Sequence, residues 1–243
     1  MIPLQLNYAS FLMTMLTLCV LFLPQFSLAQ DHVFGSWTAW FNNVRFNHKW
    51  GMNNDIQLRG GRDWTTNSLL LVRPGVNYYV NAQQTASLGY ATTLVTNELA
   101  ANSRRITEHR IWQQYIINSP MLNIPVQHRF RLEQRFLQRP DEKAFAKRAR
   151  YFIRGIIPVS QPLKTSFHRG LFMSLQNELF FNIHNQKALN GRFFDQNRAY
   201  ASLGFRFSGK YDLEAGYMNQ FLLRNTTPNS MTHIFQLAGY TRL

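Results

Sequence analysis

Residues 126–136 read VQHRFRLEQRF, with a polar or charged side chain at every second position and mainly apolar side chains between them. Residues 148–155, RARYFIRG, repeat the alternation with Arg148, Arg150 and Arg154. A period of two is that of a β-strand with two unlike faces. The pattern recurs along nearly the whole chain, so the sequence predicts an all-β protein. Charged rows opposite apolar rows are typical of a membrane barrel whose charges point inward.

The alternation can be divided into eleven strands, but single-chain bacterial barrels contain even numbers of strands. We therefore expect an antiparallel up-and-down transmembrane β-barrel of about 12 strands, with about 10 as the alternative. The strands are predicted over residues 33–46, 53–62, 68–80, 85–96, 105–118, 124–138, 147–159, 167–183, 197–208, 211–224 and 231–243.

The predicted connections alternate in length, as the short periplasmic turns and longer outer loops of outer-membrane barrels do. Tight turns are expected near Asn81, Pro120, Gln161 and Gly209, and longer loops over 97–104, 139–146, 184–196 and 225–230. Two irregularities are also expected: a bulge or turn at Asn42 and Asn43, and a missing ladder bond at Pro74.

The first 29 residues are predicted to be a signal peptide, and residues 30–243 a single barrel domain. The apolar stretch 11–23 is too short for a comfortable transmembrane helix, and Ser27-Leu28-Ala29 has the form of a cleavage site. A plain N-terminal membrane anchor is the alternative. The only cysteine, Cys19, lies in this segment, so the mature chain is expected to have neither a disulfide nor a thiolate metal site.

The chain is strongly basic, with a formal net charge of +14, and holds 20 arginines but only 6 lysines. A basic protein can bind nucleic acid, but no nucleic-acid motif is present. Arginine is preferred where a cation is paired and partly desolvated. Acidic residues also alternate within the same rows as the arginines. We therefore predict a network of ion pairs inside the barrel rather than a surface that binds nucleic acid.

The predicted lumen network is either a structural plug of salt bridges or an anion-selective constriction, since arginine outnumbers acid in it. Its members all lie on the predicted inward face of a strand: Arg59, Arg73, Glu108, Arg110, Arg129, Arg131, Glu133, Arg135, Arg148, Arg150, Arg154, Glu178, Arg198 and Arg206.

Three short motifs within these rows follow one another along the chain. Residues 108–110 read E-x-R, residues 129–135 read R-x-R-x-E-x-R, and residues 148–150 read R-x-R. With Trp37, Trp50 and Asn197-Arg198, they make the sequence similar to the family catalogued as domain of unknown function 2490. The resemblance implies an outer-membrane barrel of Gram-negative bacteria and no particular activity. The chain ends in Leu243, whereas such barrels commonly end in an aromatic residue.

Two other functions stay open at this point. An outer-membrane lipase would need a histidine such as His184 near a serine, yet Gln186 stands where the nucleophile is expected, and Ser174 and Ser202 are distant in sequence. A soluble periplasmic barrel that binds an apolar ligand would have apolar residues inside and charges outside.

A metal site has little support in the sequence, because His109 and His128 on neighbouring predicted strands have no third ligand.

Outward tyrosines are expected to form aromatic girdles at the two membrane interfaces: Tyr78, Tyr90, Tyr115, Tyr151, Tyr211 and Tyr217.

The sequence thus predicts a monomeric barrel of the cell outer membrane, structural or forming a narrow pore for small polar or anionic solutes. The expected partners are outer-membrane lipid and the barrel-assembly machinery, with no nucleic acid. No catalytic residue, cofactor or metal ligand is predicted.

Overall fold

The computed structural model describes residues 30–60, 68–96, 106–121, 123–138, 143–159, 167–224 and 228–243. No helix in this part of the chain is long and apolar enough to span a membrane. The predicted signal peptide and Cys19 lie outside the described residues, as do residues 97–104 of one predicted loop.

The described residues form eleven strands and one short 3-10 helix, Gln186–Ala188. The strand bounds agree with the predicted ones to within a few residues at most ends, because the period of two persists through each strand. The strands are β1 Gln30–Arg45, β2 Trp50–Gly60, β3 Ser68–Tyr79, β4 Gln84–Thr96, β5 Ile106–Met121, β6 Ile124–Gln138, β7 Lys143–Pro158, β8 Gly170–His184, β9 Phe194–Ser208, β10 Tyr211–Leu222 and β11 Asn229–Arg242.

The strands follow one another around a closed barrel, so the predicted all-β barrel is confirmed. Every consecutive pair is antiparallel. The described residues form eleven strands, close to the expected number of about twelve, although the count is odd. An odd number closes because β1 and β11 run parallel. The N–H of Leu243 donates to the carbonyl of Asn43, and the N–H of Arg45 donates to the carbonyl of Leu243. This is the ladder of a parallel pair.

The two predicted irregularities have different outcomes. The β3–β4 register omits Arg73 and Pro74, in keeping with the predicted missing ladder bond. The predicted bulge at Asn42 and Asn43 is wrong, because the β1–β2 register runs unbroken from Ser36 to Arg45.

Two ends of the barrel can be distinguished by their connections. The end we call the turn end carries the connections 46–49, 80–83, 122–123 and 209–210 together with Leu243. The opposite end, the loop end, carries the longer connection 185–193. The tight turn predicted near Gln161 lies outside the described residues.

The two faces of the wall differ sharply in polarity. Charged and amide side chains such as Asp55, Arg131 and Glu214 are buried in the interior. Large apolar side chains are exposed on the exterior, and Leu203, the most exposed of them, is 68% accessible. This polarity is the reverse of that expected for a soluble barrel with an apolar ligand. The exterior also carries five of the six predicted girdle tyrosines as exposed side chains, Tyr78, Tyr90, Tyr115, Tyr211 and Tyr217.

Candidate functional site

All seven acidic side chains whose burial is described lie inside the barrel, and each forms an ion pair with at least one arginine. The period of two places them there, since they stand in phase with the arginines of the same strands. The pairs are Asp55–Arg73, Glu108 with Arg110 and Arg135, Glu133 with Arg148 and Arg150, Glu178 with Arg129 and Arg150, Asp195–Arg148, Asp212 with Arg206 and Arg242, and Glu214–Arg154.

Glu133 lies at the centre of this network and is 1% exposed. Its two oxygens accept hydrogen bonds from Arg148 Nη2 at 2.8 Å and from Arg150 Nη1 at 2.5 Å. Arg148 continues to Asp195 at 3.0 Å, and Arg150 continues to Glu178 at 2.6 Å. Five charged groups from four strands are thereby linked in one buried chain. A buried charge needs such partners, because an unpaired one is costly away from water.

Other pairs span the lumen rather than follow the wall. Arg154 of β7 donates to Glu214 of β10 and to the Tyr240 hydroxyl of β11, each at 2.6 Å. Because β8 and β9 separate β7 from β10 around the wall, these contacts cross the interior. The Tyr240 hydroxyl in turn donates to Glu214 at 2.6 Å. The charge network therefore braces opposite sides of the barrel.

Aromatic side chains inside the barrel stack on the arginines. Arg129 lies 4.1 Å from the ring centre of Phe152, Arg150 lies 4.5 Å from that of Phe180, and Arg131 lies 4.9 Å from that of Trp112. Trp112 and Phe180 are almost completely buried. A guanidinium stacks on an aromatic face while its edge still donates hydrogen bonds, which an ammonium cannot do. This geometry explains why the interior uses arginine rather than lysine.

Three interior arginines make no ion pair with any described residue: Arg59, Arg131 and Arg198. Arg59 donates to Gln57, and Arg131 donates to Gln114 at 3.0 Å. Arg59 and Arg198 also stack on Trp37, at 4.1 and 5.0 Å from its ring centre. Because no described acid pairs with these three cations, they leave an excess of positive charge in the lumen.

A cavity of about 380 Å³ lies against these three arginines and reaches Arg45, Asn81 and Ala82 at the turn end. Among the described residues, nine arginines line it but only two acids, Asp55 and Glu178. The other arginines in the lining are Arg73, Arg129, Arg150, Arg154 and Arg242. Low-dielectric walls that carry one sign of charge concentrate counter-ions, so this cavity favours anions.

The structure brings eleven of the fourteen predicted network residues into ion pairs, and the remaining three are Arg59, Arg131 and Arg198. The prediction missed Asp195 because β9 was expected to begin at Asn197. It also missed the interior aromatic residues. Their phase was a usable signal, because Trp112 alternates in register with Glu108, Arg110 and Gln114.

The residues of the lipase hypothesis are not brought together. His184 is exposed at the loop end of β8, whereas Ser174 lies ten residues away along the same strand. Ser174 is buried and shares a hydrogen bond of 2.7 Å with Ser202.

The two histidines considered for metal binding are also apart. His109 lies opposite Phe136, whereas His128 lies opposite Ile117, eight positions further along β5. Each contacts a tyrosine hydroxyl, His109 that of Tyr90 and His128 that of Tyr151. Within the described ranges there is no group of three or more side chains that could hold a metal ion.

Comparison with known proteins identifies the family. The model of the family described as Protein of unknown function (DUF2490) matches residues 34–232. The chain belongs to this family. The resemblance inferred from the three charged motifs is therefore confirmed. The DUF2490 match runs from within β1 to within β11, and so includes all three motifs. Neither the curated proteins nor the solved structures yielded a match to the chain.

Proposed function

We propose that this DUF2490 protein is a barrel of the outer membrane whose arginine-lined lumen gives small anions a narrow, selective path. The observation that carries the proposal is the lining of the cavity, where nine arginines face two acids. Rings of arginine or lysine are the usual basis of anion selectivity in pores.

The membrane location is supported by the exterior. The wall exposes leucine, phenylalanine and tyrosine side chains along strands of 11 to 16 residues. A transmembrane strand needs about 9–11 residues, and an outer-membrane barrel carries an apolar outer band. Every acidic side chain of described burial lies inside, so none of these carboxylates faces the apolar exterior. The predicted signal peptide is consistent with export.

The partners follow from the same proposal. Outer-membrane lipid would cover the exposed apolar side chains, and the barrel-assembly machinery would insert the chain. We expect a monomer, since the wall closes on itself through the β1–β11 seam and leaves no free strand edge for a second copy.

The proposal is tested by reversal potentials in planar bilayers with a potassium chloride gradient. The unaltered protein should show a reversal potential of the sign that marks chloride as the more permeant ion. Arg131→Gln should move the potential toward zero, because it removes one unpaired cation from the cavity lining. A cation-selective reversal potential, or membranes that stay insulating, would contradict the anion path and favour a purely structural plug.

Arg110→Gln is the matched control, since Arg110 is a lumen arginine that does not line the cavity. Glu108 retains its second partner, Arg135, in this variant. The selectivity should therefore stay close to that of the unaltered protein. An equal change in both variants would mean that overall lumen charge, rather than the cavity, sets the selectivity.

A further inference from the structure

Beyond net charge, the cavity presents specific hydrogen-bonding atoms without partners. Arg131 is 5% exposed, and its Nη1 has no hydrogen-bond partner among the described residues. The Nε atoms of Arg129 and Arg198, which line the same cavity, are also buried without a partner in the part of the chain that the structure describes. Buried polar groups in folded proteins are nearly always bonded, so several unpartnered donors around one cavity point to a ligand that accepts hydrogen bonds.

The same lining supplies acceptors and amides. Asn53 Oδ1 is buried without a partner in the described part of the chain. Twelve asparagine and glutamine side chains line the cavity, among them Asn53, Asn77 and Gln114. An amide both donates and accepts, as a hydroxyl group does. An anion without hydroxyl groups, such as chloride, would use the arginines but leave acceptors such as Asn53 Oδ1 unused.

We infer that the cavity is a binding site for a small acidic sugar-like molecule, with an oxyanion group at Arg131 and its hydroxyls on the surrounding amides. The oxyanion can be a carboxylate or a phosphate, both of which the flat guanidinium group binds well. Arg131 is repelled by Arg73 and Arg129, which line the same cavity, so an oxyanion bound in this cavity would offset the repulsion. The volume of about 380 Å³ falls within the range of small-molecule sites.

This inference rests on the proposed anion path and adds to it a bound state with defined chemistry. An anion path alone requires only positive charge and would let chloride pass without holding it. A binding site requires that hydroxyls and oxyanion together bind more tightly than either does alone.

The inference is tested by isothermal titration calorimetry on the full-length barrel in detergent micelles. Four probes are compared: glucuronate, glucose 6-phosphate, glucose and inorganic phosphate. We expect glucuronate or glucose 6-phosphate to bind at least tenfold more tightly than either glucose or inorganic phosphate, and the stronger of the two identifies the oxyanion. Equal binding of inorganic phosphate and the acidic sugars, or binding of none of the four, would overturn the inference.

Variants locate the site. Arg131→Gln should weaken binding of the stronger acidic sugar about tenfold or more, because a hydrogen bond to a charged group is lost. Arg131→Lys keeps the positive charge but not the planar guanidinium group. Its affinity for the acidic sugar should therefore lie between that of the unaltered protein and that of Arg131→Gln. Arg110→Gln should bind as the unaltered protein does. Retained binding in Arg131→Gln, with folding verified by heat-modifiable migration on a gel, would also overturn the inference.

The two proposals fail separately. If the calorimetry shows no preferential binding of an acidic sugar but the reversal potential is anion-selective, the sugar site is wrong and the anion path stands. If the reversal potential is not anion-selective either, the proposed function is wrong as well.

Discussion

The charge network makes Glu133 the most consequential single acidic residue for stability. Glu133→Gln preserves the shape of the side chain but removes its charge from between Arg148 and Arg150. Removing one partner of a buried pair typically costs about 3–5 kcal/mol. Here Arg148 retains Asp195 and Arg150 retains Glu178, and glutamine still offers one acceptor oxygen. We therefore expect a loss of about 2–4 kcal/mol in the free energy of unfolding.

Asp212→Asn is the matched control at the turn end. Its carboxylate is buried but pairs with Arg206 and Arg242, whose side chains are 15% and 39% exposed, so water can partly solvate both cations when the acid is neutralised. We therefore expect a smaller loss than for Glu133→Gln, about 1–2 kcal/mol in the free energy of unfolding.

The assay is urea unfolding followed by tryptophan fluorescence under identical lipid or detergent conditions for all three proteins. With a denaturant dependence of about 2 kcal/mol per molar, the midpoint of Glu133→Gln should fall by about 1–2 M, with an unchanged slope. If Glu133→Gln loses no more stability than Asp212→Asn, the central role of Glu133 in the charge network is wrong.

Three further predictions concern the wall. Gly89→Ala should destabilise the barrel by about 1–3 kcal/mol, because a Cβ at Gly89 would overlap the Trp112 ring and the Pro74 carbonyl. Gly209 has open space around it, so Gly209→Ala should leave the thermal midpoint unchanged. Equal thermal midpoints of the two variants would contradict this packing. The Thr241 hydroxyl donates to Asn42 Oδ1 at 2.6 Å across the parallel seam. The double variant Asn42→Cys/Thr241→Cys should therefore form a disulfide that mass spectrometry detects after proteolysis. Failure to cross-link under oxidising conditions would argue against this closure. If the exterior faces hydrocarbon, Leu203→Arg should destabilise the lipid-inserted barrel by up to about 2–4 kcal/mol, measured by urea unfolding from vesicles. An unchanged stability would indicate that the exterior faces water.

The strands were predictable because a local period of two sets which residues share a face. Arg129, Arg131 and Glu133 occupy the interior as their alternation predicts, and the exterior leucines follow from the same phase. The same period divides the chain into eleven strands, as in the described residues, but the rule of even numbers changed the prediction to about twelve. The rule of even numbers assumes antiparallel closure, whereas the seam pairs Asn43 and Arg45 with Leu243, about two hundred residues away in sequence. No local pattern specifies that pairing.

The charged part of the site was similarly predictable, and its aromatic part was not. Trp112 and Phe180 are apolar, so composition alone assigns them to the outer face, yet both are buried inside against arginines. Their phase identifies them only once the inward rows of their strands are known. The specific partners, such as Arg154 with Glu214 across the lumen, depend on barrel closure and therefore on the tertiary structure.

Fractionation of cells combined with heat-modifiable gel migration is the most direct test of a membrane barrel with its charges inside. The protein should be recovered in the outer-membrane fraction, and unheated and boiled samples should migrate differently, because a closed barrel resists detergent until it is heated. Recovery in the soluble periplasm, with identical migration before and after boiling, would contradict it.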